Sequence, residues 1–162
     1  GRCGIAMIGQ IQSKKANSVA RWASEVHSLD SLKLAHGLER GMALALERGD
    51  RTGKILPCMV QLSYDGDSAR GGAHLDDVPA IVEAVEESEH LEMAGFMVVP
   101  PLDSQPREVF AQARSLTDDY AVKLNRNLRL SAGMSGDFAD AIACGSDIVR
   151  VGTALLGPRP VV

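Results

Sequence analysis

The chain has 162 residues, of which 45% are hydrophobic, 23% charged and only 4% aromatic, and its formal net charge is −4. That size supports one globular domain whose core is built from Leu, Val, Ile, Ala and Met. The scattered Lys and Arg residues form no basic stripe with interleaved aromatics, which speaks against nucleic acid as a partner, and no apolar run approaches the ~20 residues that a membrane span needs.

Taken in order, Ile5-Ala6-Met7-Ile8 is a short apolar run of the kind found in strands buried on both faces. Apolar sequence this close to Gly1 reads as if the chain starts inside a fold. Lys14 to Glu25 offers Val19, Trp22 and Ala23 at helical spacing, and Val26-His27-Ser28-Leu29 is a minimal second strand. Asp30 and Ser31 are N-cap candidates for a long helix through Leu34, Leu38, Leu44 and Leu46, within which Gly37 and Gly41 either bend the helix or admit a close neighbour. Ile55 to Ser63 is the next strand, followed by a polar, Gly-rich loop from Tyr64 to Gly72. A helix then turns Leu75, Val78, Ile81, Val82 and Val85 inward, with Pro79 in its first turn. Leu91 to Val99 is a fourth strand. Ser104 and Pro106 open a helix using Val109, Phe110, Ala113, Leu116, Tyr120, Val122 and Leu124.

The last stretch, Leu130 to Gly157, holds two Gly-containing turns, each after an apolar run. The first passes through Gly133-Met134-Ser135-Gly136 into a helical pattern (Phe138, Ala139, Ala141, Ile142, Ala143); the second follows Ile148-Val149-Arg150-Val151 at Gly152-Thr153. A turn that opens a helix leaves N–H groups unpaired in a positive potential, so two such turns on adjacent strands could share one phosphate. About six strands thus alternate with about five helices, which implies parallel strands with right-handed crossovers. An open doubly wound sheet and a closed (β/α)8 barrel share that pattern.

Arg150 stands beside the second turn, where its guanidinium either meets a ligand or pairs with a carboxylate such as Asp147. Ser135 is either a phosphate contact or a helix cap. His27, His36, His74 and His90 have no metal-ligand spacing and read as surface or structural groups; no metal site is expected. Asp76-Asp77, Glu86-Glu87 and Asp118-Asp119 read as solvated helix faces, Lys14-Lys15 as exposed, and Tyr64 as a lid or packing residue. Three cysteines without metal spacing (Cys3, Cys58, Cys144) read as reduced, mostly buried thiols of a cytoplasmic protein.

The segments IGQIQSKK (Ile8 to Lys15), VHSLDS (Val26 to Ser31), SARGG (Ser68 to Gly72), AGFMVVP (Ala94 to Pro100) and the whole of Leu130 to Gly157 resemble, in order, the pyridoxal phosphate homeostasis family of the YggS/PROSC type. The resemblance covers essentially the whole chain. It implies the stand-alone barrel domain of alanine racemase, a pyridoxal 5′-phosphate (PLP)-binding (β/α)8 TIM barrel, here an incomplete one of about six parallel strands spanning residues 1–162 as a single domain. It implies further that Ser135, Gly152 and Thr153, with the Gly133-Met134 backbone, hold the cofactor phosphate, that Arg150 lies against the pyridine nitrogen, and that Arg70 lies on the phenolic-oxygen side of the ring. Lys14, Ala132 and Arg70 stand where the family usually has Asn, Met and Lys. The family's Schiff-base lysine lies in an earlier segment like AVSKT that this sequence lacks, and neither Lys14, Lys15 nor Lys54 matches its motif, so no catalytic residue is expected. The implied role is vitamin B6 and amino-acid homeostasis without a robust reaction; the alternatives are a PLP-dependent racemase and a barrel enzyme for a phosphorylated metabolite. The family implies a monomer, whereas the exposed edges of a partial barrel would favour self-association.

Overall fold

In the computed structural model the described residues are 6–7, 11–63, 72–98, 106–132 and 148–149. Two compact units divide between Ala94 and Gly95. The first holds β1 (Ala6–Met7), α1 (Ala16–Trp22), β2 (Glu25–Leu29), α2 (Leu32–Arg48), β3 (Leu56–Ser63), β4 (Ala73–His74), α3 (Val78–Glu87) and the opening residues of β5 (Leu91–Val98). The second holds the rest of β5, α4 (Pro106–Leu124), β6 (Arg129–Ala132) and β7 (Ile148–Val149).

In the first unit β1 pairs with β2 and β2 with β3, both in parallel. These strands are near-continuous apolar runs because both faces are covered; Val26, Leu29, Leu56, Met59 and Val60 are all fully buried. Between Val26↔Cys58 and Leu29↔Val60 the register slips, three residues of β2 spanning two of β3. The extra residue falls at His27–Ser28, a bulge that leaves two polar side chains buried.

α2 starts at Ser31, whose hydroxyl accepts the Leu34 N–H at 3.1 Å, and stops at Gly49, held at φ 76°. Asp30, the other cap candidate, is left for a different task. The two helix glycines admit a neighbour rather than bend the helix. A Cβ at Gly37 would lie 3.1 Å from the Ala16 Cβ, and one at Gly41 2.9 Å from that of Ala20, so α1 and α2 touch almost backbone to backbone. Arg51 then closes the carboxyl end of α1, donating through Nη1 to the Ala20 and Ala23 carbonyls at 2.7 and 2.9 Å.

β4 was not expected. Ala73 and His74 pair in parallel with Leu62 and Ser63, the end of the strand the chain has just left, and Leu75 lies exposed in a 3-10 turn rather than facing inward. The apolar face of α3 is as read, with Val78, Ile81, Val82 and Val85 buried.

In the second unit β5, β6 and β7 are parallel neighbours in sequence order. α4 buries Val109, Phe110, Ala113, Thr117 and Tyr120; Thr117 is accommodated by donating to the Ala113 carbonyl at 2.7 Å. Val122, read as part of that face, is 82% exposed because it lies off the i, i+3, i+4 stripe. The Tyr120 ring packs on Phe96 with centroids 5.4 Å apart, which turns Phe96 of β5 toward α4.

Gly95 sits at φ 151°, and any Cβ there would run into the Arg129 backbone of β6. Gly95→Ala should therefore destabilise the protein by about 3 kcal/mol or more, measured by chemical denaturation. A wild-type midpoint for that variant would contradict the close approach.

Candidate functional site

In parallel α/β folds ligands gather beyond the carboxyl ends of the strands, because there the chain turns and backbone N–H groups point outward. In the second unit Ser131↔Ile148 and Ala132↔Val149 are in register, so the segments beginning at Gly133 and at Arg150 leave adjacent strand ends in the same direction. This is the adjacency that two phosphate-binding turns require. Gly133, Met134, Ser135, Arg150, Gly152 and Thr153 themselves lie outside the described residues, as does Arg70. So do Tyr64, Cys3, Cys144 and the helical pattern from Phe138 to Ala143.

The end of β6 carries a polar group that sequence reading passed over. Ser131 is fully buried, and its Oγ has no hydrogen-bond partner among the described residues. Nothing in the sequence distinguishes this serine from an ordinary strand serine.

In the first unit the carboxyl end of β2 leads into Asp30, whose Oδ2 accepts the Gly72 N–H at 3.1 Å. Gly72 is at φ 101°, and a Cβ there would press on Leu62 and Ser63. The segment between Ser63 and Gly72, in which Arg70 lies, is thus fixed at both stems, by β4 pairing and by Asp30. The two residues are 42 apart in sequence, too far for any local pattern to reveal.

The remaining candidates divide as read. Lys14, Lys15 and Lys54 are exposed, as are His36, His74, Asp76, Asp77, Glu87, Asp118 and Asp119; Glu86 is half-buried. His27 is buried with Nε2 3.3 Å from Glu25 Oε1. His90 is half-buried and tied to α2: Glu39 takes the His90 ring Nδ1 at 2.8 Å on one oxygen and the His90 backbone N–H at 3.0 Å on the other. Glu89 brings a third ligand atom within 4.8 Å. Both Glu39 oxygens already serve His90, whose carbonyl accepts the Leu56 N–H at 2.8 Å. The group is a clamp at the amino ends of β3 and β5, away from the carboxyl-end rim. Burial, with Glu25 and Glu39 nearby, pushes the Cys58 thiol well above its usual range, so at neutral pH it is protonated and unreactive. A cleft of about 410 Å³ lined by Lys14, Lys15, Arg21 and Arg48 lies between α1 and α2, on helix surfaces rather than strand ends. Among the described residues no helix is long and apolar enough to cross a membrane.

A parallel sheet with crossover helices agrees with the family model of the alanine racemase N-terminal domain, which matches residues 2–160. The chain is 55% identical over 154 residues to the pyridoxal phosphate homeostasis protein of Corynebacterium glutamicum, covering 95% of the chain and 70% of that protein. It is 46% identical to that of Mycobacterium tuberculosis, covering 94% of the chain and 60% of the relative. Among solved structures, PipY of Synechococcus elongatus with PLP bound superposes with a TM-score of 0.81 at 28% identity, covering 97% of this chain and 72% of that one. The chain belongs to the pyridoxal phosphate homeostasis protein family.

Asp30→Ala should lower stability by about 1 kcal/mol, and Asp30→Asn, which keeps an acceptor, by less. Equal losses for the two, read from denaturation midpoints, would remove the hydrogen bond to Gly72 as the cause.

Proposed function

We propose that residues 1–162 form the carboxyl-terminal portion of a PLP-binding barrel that serves vitamin B6 and amino-acid homeostasis in the cytoplasm and has no robust reaction of its own. The observation that carries this reading is the parallel, in-register pairing of β6 and β7, which sends the two glycine-containing segments out of neighbouring strand ends. Its support is membership of a family named for PLP homeostasis, together with a structural relative solved with PLP.

In this reading the backbone of Gly133, Met134 and Gly152 and the hydroxyls of Ser135 and Thr153 bind the phosphate, a task for which short turns with free N–H groups are suited. PLP, when bound, supplies an aldehyde and a pyridine ring that accepts electrons best when its nitrogen is protonated. Arg150 faces the ring nitrogen as a permanent cation that accepts no proton, so the nitrogen stays unprotonated and the ring is a weaker electron acceptor. This is why the reading favours storage and delivery of the cofactor over carbanion chemistry. The family resemblance assigns Arg70 to the phenolic-oxygen side of the ring.

The test is PLP retention by the full-length protein carrying this segment, measured by absorbance after desalting. Bound PLP is expected, with Arg150→Ala and Ser135→Ala each weakening it about tenfold, the equivalent of one charge-assisted hydrogen bond. Retention unchanged in both variants would remove the proposed site. Racemisation of an amino acid well above the rate with free PLP would replace the homeostasis reading with an enzymatic one.

A further inference from the structure

The sequence scatters Lys14, Lys15, Arg21 and Arg48, and the fold gathers them. All four are exposed and line the cleft of about 410 Å³ between α1 and α2, on a chain whose formal net charge is −4. Among the described lining residues the one carboxylate set against these four cations is Asp50. The close approach of the helices, with Gly37 against Ala16 and Gly41 against Ala20, holds the two rows of side chains together. It also shows that α1 and α2 run in the same direction, so Arg21 and Arg48 share the carboxyl end of the groove while Lys14 and Lys15 lie at the other.

Structural roles account for only part of this charge. Arg21 and Arg48 stand in the last turns of their helices, where a cation complements the helix dipole, but Lys14 and Lys15 precede α1, where it does not. Within the two helices no carboxylate stands three or four residues from any of the four, the spacing at which Arg114 and Asp118 pair on α4. Arg51, the neighbouring cation that does serve the fold, is turned instead onto the Ala20 and Ala23 carbonyls. Like charges collected in a cleft raise the local concentration of anions. Lys15 and Arg21 are six residues apart on α1, about 9 Å at 1.5 Å per residue. The charge is thus strung along the groove rather than focused on one point, which suits a chain of anionic groups better than a single one.

We propose that the α1–α2 cleft is a binding site for a small ligand carrying several linked phosphates, held by Lys14 and Lys15 at one end and by Arg21 and Arg48 at the other. Its volume falls within the range of small-molecule sites. No aromatic side chain lines it among the described residues, so the phosphates are read rather than a stacked base. The site lies on helix surfaces and stands independently of the reading of the strand ends as a PLP site.

The experiment titrates the full-length protein, with PLP present so that any PLP site is filled, with tripolyphosphate, ATP and inorganic phosphate by calorimetry, at matched ionic strength and without divalent metal. Saturable binding of tripolyphosphate is expected, falling as salt is added. It should weaken about tenfold in Lys14→Gln with Lys15→Gln and, separately, in Arg21→Gln with Arg48→Gln, with PLP retention at the wild-type level in both. ATP bound as tightly as tripolyphosphate would support the site with nucleotides as the source, and weaker ATP would support it with the inorganic chain. Absence of saturable tripolyphosphate binding overturns the inference. So does wild-type affinity in either double variant, since the ligand is held from both ends. Inorganic phosphate bound as tightly as tripolyphosphate overturns the multiphosphate class, and a glutamate-rich peptide bound in preference to tripolyphosphate replaces the small ligand with an acidic protein.

Discussion

Parallel pairing is the constraint from which the rest of this structure follows. Two parallel strands cannot be joined by a tight turn, so each must be followed by a crossover, and helices make the most compact ones. Those helices cover the sheet faces and demand strands that are apolar throughout, as Leu56 to Leu62 shows. Within each unit parallel pairing also sends the carboxyl ends to one side. Groups distant in sequence can then meet there, as Asp30 and Gly72 do.

Polar side chains in the described core are few, and they differ in what they do. At the amino ends of β3 and β5, the Glu39 clamp on His90 uses both carboxylate oxygens and faces inward to the protein's own groups. Thr117 is likewise closed on its own helix. Ser131 at a carboxyl end differs in having no such partner among the described residues.

Much of the architecture could be read from the chain, because long amphipathic helices and apolar runs declare themselves locally. The stripe of Val78, Ile81, Val82 and Val85 and the cap at Ser31 are cases where neighbours within four residues decide the outcome. Misreadings arose where the deciding partner was remote or where composition outvoted geometry. Val122 is apolar and helical, yet its angular position turns it to water. β4 forms by pairing with Leu62 and Ser63, remote in sequence, and the bulge at His27–Ser28 is a property of two strands together. For the site, the turns at Gly133 and Gly152 were legible as motifs and lie outside the described residues, while the parallel pairing of β6 with β7 came from the structure.

The return of the chain onto β3 at β4 has a wider meaning. With Leu62 and Ser63 paired to Ala73 and His74, and Gly72 tethered to Asp30, the stems of the intervening stretch are set by the scaffold alone. The tether joins the end of β2 to the start of β4, so the carboxyl ends of β2 and β3 are held together as one rim.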